Sequence, residues 1–369
     1  MHYFSLQKIA YLFGLLCLCL TVQAQSFTYK AIKSYPFPTE LTAAAKANNI
    51  AWALDEQGKR NVYVAEAPAY TPRQLSQYTN DDGQEITSLS LSANGKWVVY
   101  VRGGDHGSNW GDAELVNPGF SAKPEKIQVW TIPFAGGTAK SLGEGDNPVI
   151  SPRGDSVVFT RGGQAYVAAV DGSAAATSLF TTRGTVSALS FSPNGNQLVF
   201  VANRSDHSLI GVYDRTTGTL RWIAPSFSKD LSPQWSPDGK QLAFIRTAGS
   251  GGAPDSLLVK RPQPWSIYTA DVASGTTTLL YTTSPTLKAS ASFGYNLHWA
   301  AQNRIVFMSY ADGWQHLYSL PATGGQPLLL TPGNFMAEHI SMSTNGQYMY
   351  FSANTGTDKL DIDLSLIHI

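Results

Sequence analysis

Short apolar bursts punctuate this chain, each bounded by Gly, Pro, Asn or Ser. The runs Trp97–Arg102, Ser156–Arg161, Gln197–Ala202, Gln241–Arg246, Arg304–Tyr310 and Gln347–Ala353 are six or seven residues long and rich in Val, Ile, Phe and Tyr. They are too short for helices, and their β-branched and aromatic content predicts strands. One phrase precedes them: Leu91-Ser-Ala-Asn-Gly95, Ile150-Ser-Pro-Arg-Gly154, Phe191-Ser-Pro-Asn-Gly195, Trp235-Ser-Pro-Asp-Gly239 and Met342-Ser-Thr-Asn-Gly346. Trp299-Ala-Ala-Gln-Asn303 is a weaker copy, and a still weaker one spans 43–49. Pro sets φ at the first turn position, Asn or Asp tolerates the bend, and Gly takes the residue with positive φ. The phrase therefore joins two antiparallel strands.

The fullest unit shows four strands. Residues 296–299 form the first and Arg304–Tyr310 the second. The turn 311–314 leads into His316–Pro321, and Thr323-Gly-Gly325 leads into Pro327–Thr331. Four short strands with Gly-rich turns, repeated at about 40–45 residues, predict an all-β fold, a β-propeller of four-stranded blades. Seven blade starts are visible. A sandwich would not keep one turn phrase at the same strand position through the whole chain.

Between turn serines (Ala300 standing in for one) the intervals are 59, 41, 44, 64 and 43 residues. Two blades are oversized, and in both the excess falls between the second and third strands. The first insertion covers about 103–126, follows Arg102 and contains Gly103-Gly-Asp105-His106, Trp110, Asp112 and Glu114; the second covers about 247–264. Alternate turns of an up-and-down blade lie on opposite faces. Both insertions and the links between blades are therefore expected on the face away from the Ser-Pro-Asp-Gly turns. Long loops gathered on one face of a rigid scaffold are a usual place for binding.

Arg102, Asp105, His106, Trp110 and Glu114 are candidates for holding the charged end of a peptide, against the alternative of a solvated loop with internal salt bridges. Trp314 sits beside a hairpin turn, and Glu338 and His339 open an innermost strand. They complete the candidate set. Trp265 follows Pro264 at the start of a strand and reads as a packing residue. Asp358, Asp361 and Asp363 lack the Gly and terminal Glu of a calcium loop. No metal or cofactor is expected.

Charge narrows the partners. Lys and Arg number 26 and Asp and Glu 26, only 14% of residues are charged, and net charge is zero. Nucleic-acid binders normally carry a basic excess, so no nucleic-acid partner is expected. At the amino terminus, Lys8, the apolar run Ile9–Val22 and Val22-Gln23-Ala24 supply the n-region, h-region and cleavage site of an export signal. A run of about 14 apolar residues is short for a bilayer span of roughly 20. Export to a periplasm or beyond follows, with residues 1–24 as signal peptide, 25–363 as propeller and no stable membrane insertion. Both cysteines, Cys17 and Cys19, lie in the h-region and would leave with it.

The form Ser236-Pro-Asp-Gly-Lys-x-Leu-Ala-Phe244 resembles the repeats of Tol-system periplasmic propellers and of the amino-terminal half of prolyl oligopeptidase-type peptidases. Phe27-Thr-Tyr-Lys-x-Ile-Lys-Ser-Tyr-Pro-Phe-Pro38, Arg102-Gly-Gly-Asp-His106 and Gly252-Ala-Pro-Asp-Ser256 extend the likeness. Together with the export signal they resemble exported bacterial members of the prolyl oligopeptidase family, in its dipeptidyl-peptidase and acylaminoacyl-peptidase branches. The resemblance implies a serine peptidase whose propeller gates peptide substrates and whose carboxy-terminal α/β-hydrolase domain carries Ser, Asp and His.

None of those catalytic residues has a matching position here, and Gly-x-Ser-x-Gly is absent. The adjacent glutamates with which dipeptidyl peptidases hold a substrate amine are also missing. The final Leu364–Ile369 does not continue the repeat, so the seventh blade is expected to stop after its second strand, ahead of a hydrolase domain that this sequence lacks. Two rivals stand beside this reading: a stand-alone periplasmic propeller that docks proteins, and the propeller of a metal-dependent amidohydrolase. The signal predicts that mass spectrometry of the exported protein finds Gln25 as its first residue. A mature chain retaining residues 1–24 would contradict it.

Overall fold

The chain is described by a computed structural model, which covers residues 28–106, 115–251, 262–290, 294–355 and 363–368. The expected signal segment lies outside them. Six four-stranded antiparallel sheets and one three-stranded sheet follow one another along the chain, over 37–74, 86–144, 146–180, 185–223, 229–282, 298–329 and 337–368. These are seven propeller blades, and their strands pair in sequence order within each blade. Blades 4 and 5 are also bridged by a parallel contact between Ser208 and Lys229.

The turn phrase has a chemical basis beyond its glycine. The hydroxyl of Ser192 donates to Oδ1 of Asn194 at 2.8 Å and accepts from the backbone N–H of Gln197 at 3.0 Å. Ser236 does the same with Asp238 (2.6 Å) and Gln241 (2.9 Å). Ser92 and Ser343 repeat the arrangement. The serine thus closes the turn by satisfying the first N–H of the second strand. Gly195 and Gly239 take φ of 73° and 71°, the left-handed region that the turn requires.

The blades are held to one another by a repeated insertion. Five residues after the turn glycine, or four after Asn303 in blade 6, stands an aromatic: Tyr100, Phe159, Phe200, Phe244, Phe307 and Phe351, the first five 0% exposed and the last 4%. Each packs onto the preceding blade. Tyr100 meets Ala51 and Ala53 of blade 1, and Phe159 meets Val99 and Val101 of blade 2. Phe200 meets Val158, and Phe244 meets Val199 and Val201. Phe307 meets Ala243 and Ile245, and Phe351 meets Val306 and Met308. Six hydrophobic clusters therefore seal six junctions.

No such cluster joins blade 7 to blade 1 among the described residues. Trp52 holds the aromatic position of blade 1 and stacks on Tyr63 of its own sheet, with ring centroids 5.9 Å apart. Leu41 is 75% exposed, whereas Leu89, Leu189 and Leu297 at the same repeat position are 6%, 8% and 3% exposed. The outward face of blade 1 is open.

At the other end of the chain the expectation needs correction. Asp363–His368 is the third strand of blade 7. It pairs antiparallel with Tyr348–Ala353, His368 opposite Tyr348 and Asp363 opposite Ala353. A free sheet edge accepts any extended run through backbone groups, without regard to the repeat phrase. Among the described residues blade 7 has three strands.

These junctions make a graded stability prediction. Phe200→Ala should cost about 3–5 kcal/mol, whereas Trp52→Ala should cost about 1 kcal/mol, the worth of an aromatic pair. Urea unfolding of the two variants checks this, and equal losses would mean that Trp52 is buried by a seventh junction.

Candidate functional site

Six innermost strands, and the residues leading into that of blade 6, carry one residue in the left-handed region, four positions before the turn serine or its equivalent. These are Glu40 (φ 58°), Ser88 (51°), Asn147 (52°), Ala188 (49°), Ser232 (51°), Asn296 (39°) and His339 (48°). In six blades a register shift or its flanking residues mark a bulge there. A bulge inserts one extra residue, turns it out of the ladder and lets its neighbours stay packed. Leu89, Pro148, Leu189, Pro233 and Leu297, each the next residue, are buried accordingly. The bulges thus present a ring of mostly polar side chains along the innermost strands.

Beside this ring the first insertion folds back on its neighbours. The backbone N–H of His106 donates to Oε2 of Glu85 at 2.8 Å, and its Nε2 lies 3.0 Å from Oδ2 of Asp146. Glu85 belongs to the link between blades 1 and 2, and Asp146 opens blade 3. His106 therefore ties the insertion, through its backbone, to the link that enters blade 2 and, through its ring, to the first strand of blade 3. Nδ1 of His106 is buried without a hydrogen-bond partner, 3.9 Å from Glu85. A cleft of about 510 Å³ opens here, lined by His106, Glu85, Ser88, Glu40, Thr39, Phe37, Asp55 and Arg60 among others. Asp55 is neutralised by Arg60 at 3.2 Å, and Oε2 of Glu40 accepts from the Leu89 N–H at 3.1 Å. The cleft keeps an excess of carboxylate around one imidazole and suits a ligand with hydrogen-bond donors.

The second insertion begins on the same face. Ser250 donates its backbone N–H to the carbonyl of Asp206, in the second-to-third-strand turn of blade 4, at 2.6 Å. The strand-parity argument is thereby met in contacts: insertions and inter-blade links meet each other, away from the turn serines.

The sequence-predicted residues divide. His106 lines the cleft. Asp105 is half-buried beside it. Arg102 is committed elsewhere: it pairs with Asp82 and lies over Tyr78, 4.0 Å from the ring centroid. Arg246, at the same repeat position in blade 5, pairs with Asp230 at 2.7 Å and stacks against Tyr268 at 5.1 Å. Two arginines at one repeat position, each held by an aspartate and a tyrosine although from different elements, point to a packing device at both. Burial raises the Asp230 pKa even with Arg246 beside it. Trp110, Asp112, Glu114, Asp358 and Asp361 lie outside the described residues. Trp314 is 38% exposed, in the second-to-third-strand turn of blade 6. Glu338 and His339 sit together in blade 7, His339 Nδ1 lying 2.8 Å from the Ser352 hydroxyl. Trp265 is 1% exposed, with Tyr281, Tyr295 and Phe307 edge-on to it, the packing residue expected.

Two residues beside Trp314 escaped the sequence reading. His316 is 1% exposed, and its Nδ1 lies 2.7 Å from Oδ2 of Asp312. Burial pushes the Asp312 carboxyl up, but hydrogen bonds from His316 and the Trp314 N–H outweigh it and hold the group below its ordinary value. The spacing i, i+4 across a tight turn was the available signal.

Comparison with known proteins places the fold. Residues 163–366 match the TolB beta propeller domain, PD40. Among solved structures, a prolyl endopeptidase is similar at 9% identity and TM-score 0.61, over 99% of this chain and 56% of that one. Dipeptidyl peptidase 4 of Porphyromonas gingivalis is similar at 12% identity and TM-score 0.60, over 93% and 54%. An oligogalacturonate lyase in complex with manganese is similar at 12% identity and TM-score 0.56, over 87% and 86%. This chain spans little more than half the length of the two peptidases. These likenesses show the fold.

The Asp312 shift carries a signed prediction. A carboxyl held below its unfolded value of about 3.9 stabilises the fold above that pH and loses the contribution as pH falls through the folded value. Asp312→Asn should therefore destabilise at pH 7 and match the wild type near pH 2. A constant difference at both pH values, measured by urea unfolding, would contradict the assignment.

Proposed function

Because the chain belongs to the TolB beta propeller (PD40) family, we propose that it is the substrate-admitting propeller of an exported serine peptidase that acts on peptides. The observation that carries this reading is the tying of the first insertion through His106 to the link between blades 1 and 2 and to blade 3, beside a cleft that opens next to the inner-strand ring. A rigid scaffold, an anchored loop and a carboxylate-rich cleft suit an extended peptide, whose backbone N–H groups and amine are donors. The ring would limit what passes, as the bulges hold its side chains in place. Acyl transfer would fall to Ser, Asp and His of an α/β-hydrolase domain outside this sequence. Asp105, His106, Trp110, Glu114, Trp314 and Glu338 remain the proposed peptide contacts, with Arg102 as the support of the insertion's base.

A second reading is favoured by the family match itself: a stand-alone propeller of the periplasm that docks partner proteins. Among the described residues no helix is long and apolar enough to cross a membrane, which is compatible with both readings.

The two are separated by one pair of assays on the purified chain. Under the peptidase reading, fluorescent peptides of about ten residues bind, and His106→Ala weakens them at least fivefold. Chromogenic peptides are not turned over. Turnover abolished by a serine-directed inhibitor would overturn the division of labour. Binding that is indifferent to His106→Ala and Glu85→Gln would overturn the site.

A further inference from the structure

The link between blades 3 and 4 brings Arg183 against the turn after Gln197–Asn203, where Arg204, Ser205, Asp206 and His207 lie. Gly184 makes this approach possible. Its φ is +87°, and a Cβ there would stand 2.0 Å from the Asn203 carbonyl oxygen and 3.4 Å from Cγ of Arg204. The link therefore lies bare against the turn, and both arginines line one cavity of about 380 Å³.

Two cations held at one cavity repel unless an anion stands with them. Arg60, Arg102 and Arg246 pair with Asp55, Asp82 and Asp230, and Arg73, Arg215, Arg221 and Arg304 donate to carbonyl or hydroxyl oxygens. Among the described residues neither Arg183 nor Arg204 has an ion pair. Nε of Arg204 is buried without a partner, and its guanidinium lies over Trp222 at 5.9 Å. The one carboxylate lining the cavity, Asp206, lies 2.6 Å from Nδ1 of His207. Two guanidinium groups against one engaged carboxylate leave the cavity with a net positive charge.

The place of the cavity matters as much as its charge. An inter-blade link and a second-to-third-strand turn build it, so it opens on the face that carries His106. The second insertion reaches it through Ser250 and Asp206 at 2.6 Å.

We propose that Arg183 and Arg204 form an oxyanion site, and that its ligand is a carboxylate of a peptide lying across this face. The site stands on its own geometry; the identity of the carboxylate's owner rests on the peptide-handling reading above. Guanidinium groups suit the task because their forked donors match the two oxygens of a carboxylate.

The test has two arms on the purified full chain in chloride-poor buffer. In the first, inorganic phosphate is titrated calorimetrically against the wild type, Arg183→Ala/Arg204→Ala and Arg183→Lys/Arg204→Lys. The expected result is phosphate affinity at least tenfold weaker in the alanine variant and partly restored by lysine. Circular dichroism and the thermal transition confirm that each variant is folded. If the alanine pair does not fold, the single exposed substitution Arg183→Glu replaces it, with the same expected loss. Equal phosphate affinity in wild type and folded variant, or no binding to the wild type, overturns the site.

In the second arm a labelled decapeptide is compared with its carboxy-terminal amide and with the same peptide bearing an internal Asp. A free carboxylate of either kind should bind at least fivefold tighter than the amide, and Arg183→Ala/Arg204→Ala should erase the difference. Phosphate binding without any carboxylate preference overturns the proposed ligand and leaves the oxyanion site standing. Phosphate binding with no peptide binding at all overturns the peptide-handling reading instead.

Discussion

One aromatic side chain per blade, pressed into the blade before it, is the interaction on which this molecule depends. Tyr100, Phe159, Phe200, Phe244, Phe307 and Phe351 each share a buried cluster with apolar residues of the preceding second strand, and Phe200 and Phe307 also meet rings of the preceding blade, Phe180 and Tyr281. The strand ladders run within each blade, save at the short bridge between Ser208 and Lys229, and the hydrogen bonds that cross between blades are isolated ones such as Arg73 to the Phe134 carbonyl and Trp235 Nε1 to the Ser190 carbonyl. Side-chain burial must hold the blades together, at roughly 25 cal/mol for each Å² of apolar surface removed from water. The same arrangement fixes the angular step between blades and hence the spacing of every loop on the outer faces. Where the partner surface is missing, at Trp52 and Leu41, the ring has a seam.

The candidate site follows from that spacing. Because each blade begins where the last one ended, links and insertions of successive blades come within hydrogen-bonding reach on one face. His106 between Glu85 and Asp146 is the product at blades 1 to 3, and Arg183 beside Arg204 is the product at blades 3 and 4. One cluster is carboxylate-rich and the other guanidinium-rich. A peptide carries both an ammonium and a carboxylate, so a surface with both characters on one face can orient it as well as hold it.

Much of the architecture was legible in the sequence because it is written in local chemistry. The serine of each turn phrase bonds within five residues, and the glycine needs only its own φ, so strands such as Trp97–Arg102 and Ser156–Arg161 were read with the bounds they have. The inner-strand bulge was not read, although it recurs at a fixed distance from the turn. Glu40, Ala188 and His339 share a conformation and no chemistry, and a residue-type rule cannot find that. Arg102 looked like a ligand contact because its partner Asp82 lies 20 residues back, in a link whose path only the fold reveals. Aligning it with Arg246 by the turn glycine would have exposed the common role. The strand Asp363–His368 was missed for the opposite reason: backbone pairing to an open edge leaves no mark in the side chains.

The central claim is that ligands meet this propeller on the face of its insertions and links. Hydrogen–deuterium exchange of the purified chain, with and without a saturating decapeptide, tests it most directly. Slowed exchange should appear around 82–88, 103–106, 144–147 and 183–184, with the turns at 92–95, 192–195 and 236–239 unchanged. Protection confined to those turns would place binding on the opposite face and contradict the account.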